Sequence, residues 1–98
     1  MNIQAMMKQA QAMQKDMMKI KSEIDNTEFV VENAMIKLTM TGDKKAKMAE
    51  LKIQDSLDTE DIDMLQEMIV SAINDANKKI DEATEKKMGK FGNIPGLF

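Results

Sequence analysis

The chain has 98 residues, a formal net charge of −3, and neither cysteine nor histidine. A chain of this length has room for one domain with a modest hydrophobic core, to which self-association would add stability. The missing residue types remove the usual zinc ligands, the thiolate nucleophile and the commonest general base, so the composition argues against an enzyme and against a bound metal or cofactor.

The N-terminal segment has apolar residues at an unbroken spacing of three and four, which predicts a long helix with one apolar stripe. Lys8 and Lys15 lie one heptad apart on the opposite side. Lys19 and Lys21 flank them, so the outer face of the helix is basic. The stripe consists of Ile3, Met6, Ala10, Met13, Met17, Ile20 and Ile24.

Two interpretations of this stripe remain open at the level of sequence. It packs against the chain's own sheet, against a second copy of the chain, or against each of them along different stretches. In the second case the predicted dimer interface consists of Met13, Met17, Ile20 and Ile24.

The hydrophobic period then changes from helical to alternating, which predicts three short strands. A tight turn at Asn33 and Ala34 and a second turn over residues 42–45 connect them, so the sequence predicts an antiparallel meander. The alternating apolar residues are Phe29 and Val31 in the first strand, Ile36, Leu38 and Met40 in the second, and Ala49, Leu51 and Ile53 in the third.

A second long helix is predicted after Asp58, which is a good N-cap residue and is followed by acids that the helix dipole favours. Lysines stand at its other end, where Gly89 offers a left-handed cap. Residues 91–98 contain the only proline and are expected to form an irregular tail after a single domain over residues 1–90. The apolar face of the helix runs through Ile62, Leu65, Ile69, Ile73, Ala76, Ile80 and Ala83.

No stretch of the sequence has the pattern of a catalytic or metal site. Paired carboxylates such as Asp61 and Asp63 fit a solvated helix face, and neither a calcium-binding loop nor a phosphate-binding Gly-rich loop is present. Of the twelve methionines, Met6, Met13, Met17 and Met40 fall on predicted core positions. The methionines off or beside the stripes, which are better candidates for a subunit or partner interface, are Met7, Met18, Met64 and Met68.

Three stretches together carry a family resemblance. They are Met7-Lys8-Gln9-Ala10-Gln11-Ala12-Met13-Gln14 with its continuation to Ile24, then Ile36-Lys37-Leu38-Thr39-Met40-Thr41-Gly42, and then the final helix from Ser56-Leu57 through Ala72-Ile73-Asn74-Asp75-Ala76 to Lys86-Lys87-Met88. In this order they resemble the YbaB/EbfC family of bacterial nucleoid-associated proteins over nearly the whole chain. The sequence departs from the family pattern at the glycine-poor first hairpin, in an apparently longer second turn, and at Asp55, where the family usually has proline.

The resemblance implies an α+β fold, with an α-β-β-β-α protomer, a three-stranded antiparallel sheet and a tweezer-like homodimer whose N-terminal helices project as arms. It also implies a protein that binds double-stranded DNA in nucleoid organisation or gene regulation, without a small-molecule substrate. The family's DNA contacts are attributed to the arms and to basic helix ends. These correspond here to Lys8, Lys15, Lys19, Lys21, Lys78, Lys79, Lys86, Lys87 and Lys90.

The expected mode of binding is lysine–phosphate contact with low sequence specificity, because arginine, which makes the forked contact to guanine, is missing. The competing hypothesis is a protein-interaction module, in which the Met-flanked arms hold a partner and the acidic stretch over residues 55–77 recognises it. The sequence has neither a membrane-spanning run nor a signal-peptide pattern. The expected location is therefore the cytoplasm, on the nucleoid, with no membrane partner.

Overall fold

The computed structural model describes residues 2–53 and 56–89. The chain runs through α1 (Ile3–Asp25), β1 (Glu28–Glu32), β2 (Ile36–Thr41), β3 (Ala46–Leu51) and α2 (Thr59–Met88). The strands form one antiparallel sheet in the order β1-β2-β3, which confirms the predicted α-β-β-β-α protomer. The protomer is elongated, with extents of 71 × 19 × 16 Å. Lys90 and the predicted tail over residues 91–98 lie outside the described residues.

Local hydrogen bonds fix both ends of α1. The Asn2 side chain accepts from the backbone N–H groups of Gln4 and Ala5, so it satisfies two donors that the first turn leaves free. At the other end the Thr27 hydroxyl donates to the carbonyl of Glu23 at 2.6 Å. The helix therefore stops just before β1 begins.

The first hairpin is closed by three residues, 33–35, and not by a two-residue turn at Asn33 and Ala34. The Asn33 side-chain oxygen accepts from the backbone N–H groups of Met35 and Ile36, both at 3.1 Å. Its amide nitrogen donates to the Met68 carbonyl at 2.9 Å. One asparagine thus shapes the loop and ties it to α2.

The third strand begins earlier than predicted, at Ala46, and ends at Leu51 rather than Ile53. The pairing of β2 with β3 shifts between Thr39 and Met40, so that Met48 faces Thr39 but Ala46 faces Met40. This β-bulge adds a residue to β3 and lets pairing start close to the turn. Simple alternation in the sequence does not reveal such an insertion.

The core lies between the sheet and α2. Central strand β2 contributes Ile36, Leu38 and Met40, each at most 4% exposed. Ala72 and Ala76 bring the helix close to the strand, because small side chains allow close approach. The helix packs over β1 and β2. Its partly buried neighbours in this core are Phe29, Val31, Met68 and Ile69.

Asp58 caps α2 as predicted and forms a capping box with Asp61. The Asp61 backbone N–H donates to the Asp58 carboxylate at 2.9 Å, and the Asp58 N–H donates to the Asp61 carboxylate at 3.2 Å. The expected left-handed cap at Gly89 is wrong. Gly89 has φ −59° and ψ −29°, because the backbone continues in helical geometry past Met88.

Within the protomer, the last part of the α1 stripe packs against α2 rather than against the sheet. Met17 and Ile24 form a buried cluster with Met88 at the end of α2, and Ile20 packs against it. Every residue from 2 to 16 is exposed. At a rise of 1.5 Å per residue, roughly 20 Å of helix therefore projects beyond this contact. We call this segment, residues 3–16, the arm.

Candidate nucleic-acid interface

Three predicted lysines form a row along α1. Lys8, Lys15 and Lys19 fall within about 40° of one another around the helix, on the side opposite Met17. All three are exposed, and among the described residues none has a carboxylate within 4 Å. The row therefore presents ammonium groups whose hydration and counterions a polyanion can replace.

Two other predicted lysines already have partners. Lys21 pairs with Asp25 one turn later, at 3.3 Å. Lys79 donates to the backbone carbonyl of Val30 at 3.0 Å, on the open edge of β1. Both side chains remain exposed, but their donors are partly committed, which makes them weaker candidates for phosphate contact than the row on α1.

The remaining described lysines of the predicted site lie on α2. Lys86 and Lys87 stand in the last turn, next to Met88 and hence beside the point where α1 crosses. Lys78 lines a cleft of about 420 Å³ against β1, together with the acidic Glu32 and Glu82. It lies ten residues before Met88, about 15 Å back along the helix and away from the arm. The structure thus brings Lys86 and Lys87 near α1 but leaves Lys78 and Lys79 at the sheet.

Three lysines between residues 44 and 52 are engaged with carboxylates from other elements. Lys44 pairs with Asp81 at 3.0 Å, Lys47 with Glu28 at 3.9 Å, and Lys52 with Glu32 at 2.6 Å. Their acidic partners lie far away in sequence. Sequence alone therefore gives no sign that this positive segment is largely neutralised.

The Glu32–Lys52 pair has a measurable electrostatic consequence. The hydrogen bond from Lys52, followed by its positive charge, lowers the pKa of the Glu32 carboxyl below its ordinary value. The hydroxyl of Thr41, which hydrogen-bonds Asp43, lowers the pKa of that carboxyl in the same way. Both contacts favour the charged form of the carboxyl, and both lie on the sheet and its second turn, away from the row on α1.

Acidic residues concentrate at the other end of the protomer. Glu60 and Asp61 lie in the first turn of α2, and Asp63 and Glu67 follow on exposed or half-exposed positions. Asp58 and Asp61 have a structural role as the capping box. The long molecule therefore has its arm lysines at one end and an acidic helix start at the other.

The predicted dimer-interface residues fall into two groups. Met17 is 7% exposed and Ile24 is 3% exposed, and both contact the chain's own Met88. Ile20 is half-buried beside them, whereas Met13 is 49% exposed. Of the four off-stripe methionines, Met7, Met18 and Met64 are exposed, while Met68 packs against the core.

In the part of the chain that the structure describes, no helix has the length and apolar character required to cross a membrane.

Comparison with known proteins gives one consistent result. Residues 1–94 match the model of the YbaB/EbfC DNA-binding family. A nucleoid-associated protein of Ligilactobacillus salivarius is 43% identical over 99% of this chain and 95% of its own length. Nucleoid-associated proteins of Enterococcus faecalis and Streptococcus suis are each 44% identical, over 98% and 97% of this chain and 94% and 98% of their own lengths.

These matches extend over the elements that carry the lysine row, the sheet and α2. They confirm the family resemblance and the expectation of a DNA-binding protein rather than an enzyme. The chain belongs to the YbaB/EbfC DNA-binding family.

Proposed function

We propose that this chain binds double-stranded DNA as a homodimer through lysine–phosphate contacts with low sequence specificity, on the nucleoid in the cytoplasm, where it organises DNA or regulates genes. The observation that carries this proposal is the row of Lys8, Lys15 and Lys19 on α1. The three ammonium groups share one helix face and have no described carboxylate partner, although the chain as a whole is acidic.

The charge distribution supports contact through the arms. Lys86 and Lys87 extend the positive surface where α2 ends beside α1. The acidic start of α2 would be repelled by phosphates and lies toward the other end of the molecule. Each neutralised phosphate releases condensed counterions, so the affinity should fall steeply with salt. Lysine is a point charge without the forked geometry that reads guanine, so discrimination between sequences should be small.

The test is a salt titration with two matched variants. The first changes Lys8, Lys15 and Lys19 to Gln, and the second changes the carboxylate-paired Lys44, Lys47 and Lys52 to Gln. Each removes three positive charges per chain, so the two variants have the same net charge; the second also breaks three ion pairs, and its fold is checked by circular dichroism. Binding of a random-sequence duplex is followed by fluorescence anisotropy from 50 to 200 mM salt.

We expect the first variant to bind more weakly and to flatten the plot of log affinity against log salt by about 0.9 for each lost phosphate contact. The second should keep most of the wild-type slope. Equal losses in both variants would mean that net charge, and not the lysine row on α1, controls binding. A wild-type protein that gives no signal at micromolar concentration would favour the protein-interaction alternative.

The homodimer requires a surface, and the flank formed by β3 and α2 fits this requirement. β3 is an edge strand whose residues are all exposed. The Lys52 backbone N–H donates to the Met35 carbonyl at 2.8 Å. Along an antiparallel pair, every second residue directs its N–H and C=O groups to the neighbouring strand and the residues between direct theirs away from it. Ala49 and Leu51 therefore direct their backbone groups to the open edge. An open edge of this kind can pair with a second copy.

Apolar side chains accompany these free backbone groups. Leu51 pairs with the buried Ile36 and so faces the α2 side of the sheet, yet it is 48% exposed. Asp75 and Lys79 line the cleft at β1, so Ile73, on the other side of the helix, lies toward β3. Ile73 is 41% exposed. We propose that a second copy covers this flank, joining the two protomers while their arms stay free.

A further inference from the structure

The arm carries a second feature that DNA binding does not use. Its apolar positions Ile3, Met6 and Met13 are 71%, 52% and 49% exposed. They continue the stripe that is buried at Met17 and Ile24, where the end of α2 covers it. Among the described residues, α2 covers the stripe at Met88, and Met13 and the residues before it lie beyond that contact. Helices of about this length are marginally stable in water without a packing partner. Packing of another apolar surface against the open stripe would therefore stabilise the arm.

The side chains around the open stripe are compatible with the arm of a second copy as its packing partner. In the heptad pattern, the positions on either side of the stripe along the arm are occupied by Met7, Gln9, Gln14 and Asp16. The lysines of the arm, Lys8 and Lys15, stand on the far side. Two arms can therefore pack with their stripes in contact while the lysines of each arm, Lys8 and Lys15, point away from the other arm.

We propose that the open stripe of the arm, formed by Ile3, Met6, Ala10 and Met13, binds the same stripe on the arm of a second copy. The contact is a short helix pair that continues the packing already formed by Met17, Ile24 and Met88 within each protomer. It takes up Met13, the predicted interface residue that the protomer leaves exposed.

The open stripe and the lysine row lie on opposite faces of one helix. An arm paired through its stripe therefore keeps its lysines available for phosphates. The stripe is also distinct from the flank of β3 and α2, so a chain has two surfaces for self-association and can contact two other copies at once. This would link dimers into larger assemblies along or between duplexes. The linking of duplexes rests on the proposed DNA binding, whereas the arm contact itself does not.

The open stripe is short, so one pair of arms should bind weakly. The contact between arms should be populated mainly where the local concentration of the protein is high. Because the chain has no native cysteine, single-cysteine variants report this contact cleanly. A mixture of Met6→Cys and Ala10→Cys covers both parallel and antiparallel pairing. Met18→Cys is the control, since Met18 is 67% exposed on the same helix but off the stripe. The variants are oxidised gently without DNA, and linked chains are counted on non-reducing gels.

We expect cross-links between stripe cysteines to form at least roughly tenfold faster than in the control, because pairing raises their local concentration. Equal rates would overturn the proposal. Sedimentation of the full chain with Met6→Gln and Met13→Gln provides a second readout. The double variant should lose the association between arms, which wild type and Met18→Gln retain. If it associates as wild type does, the proposal is overturned.

These measurements contain no DNA, so their failure leaves the proposed DNA binding untouched. Conversely, loss of DNA binding in the lysine variant would not alter the cross-linking rates. If the exposed methionines of the stripe bind a lipid surface instead, the stripe variants and Met18→Cys should cross-link at equal rates and the protein should bind anionic phospholipid vesicles. This result too would overturn the proposal.

Discussion

Gly42 lies directly against the backbone of Ile24, where the end of α1 meets the turn after β2. A β-carbon added at Gly42 would lie 1.9 Å from the Ile24 carbonyl oxygen and 2.6 Å from its carbonyl carbon. The Gly42 N–H also donates to the Thr27 carbonyl at 3.0 Å. This contact joins the sheet to α1 and therefore helps to set the direction in which the arm projects.

Gly42→Ala should displace α1 from the sheet, because the obstructing atoms belong to the backbone and cannot rotate away. We expect a loss of about 1–3 kcal/mol or more in the free energy of unfolding, as for other overpacked sites. Urea denaturation measures it. Gly89→Ala is the matched control, since a β-carbon there meets nothing within 4 Å and the residue is helical. That variant should be neutral or more stable by about 0.5 kcal/mol.

Met88→Ala should loosen the arm while leaving the sheet intact. Met88 is 2% exposed and contacts Met17 and Ile24, so its truncation opens a cavity between the two helices and costs about 2–5 kcal/mol of local packing. Hydrogen exchange is expected to accelerate in α1 and in the last turns of α2. Amides of β2 should keep their protection relative to the global stability of the variant. Equal acceleration everywhere would show that the helix contact and the sheet core unfold as one unit.

Leu51→Gln should weaken the proposed dimer, and Met48→Gln should not. Both residues lie on β3 with similar exposure, 48% and 55%, but on opposite faces of the sheet. Only Leu51 faces the flank next to α2. Sedimentation equilibrium is expected to show at least roughly tenfold weaker association for Leu51→Gln, corresponding to about 1.4 kcal/mol. A dimer that tolerates this change but not Met48→Gln would place the interface on the other face of the sheet.

Glu32 should titrate at a lower pH than an isolated glutamate, because the Lys52 ammonium hydrogen-bonds its charged form. A carboxyl whose pKa falls on folding contributes stability above its unfolded pKa and loses that contribution as the pH falls through the folded value. NMR titration of the side-chain carboxyl carbon measures this pKa directly. In Lys52→Met the pKa of Glu32 should move up toward the ordinary glutamate value. An unchanged pKa would mean that the ion pair is not populated in solution.

The sequence by itself determined the element order, because it depends on local physics. The spacing of apolar residues in α1, the alternation in β2 and the cap at Asp58 each act within a few residues, and all were predicted correctly. The family was also evident from the sequence, since the matching stretches run along nearly the whole chain. Where local prediction failed, at the start of β3 and at Gly89, the outcome depended on a bulge in strand pairing and on continued helical geometry.

Only the tertiary structure decided which lysines are free and which part of the stripe is covered. Lys44 is paired because Asp81, 37 residues later, comes to lie 3.0 Å away, and no local pattern encodes that distance. Met17 is buried because it packs against Met88 of α2, whereas Met13 lies beyond that contact and is exposed, so two positions of one heptad pattern differ through their distance from another helix. Periodicity identifies a face of a helix, but what covers the face depends on elements distant in sequence.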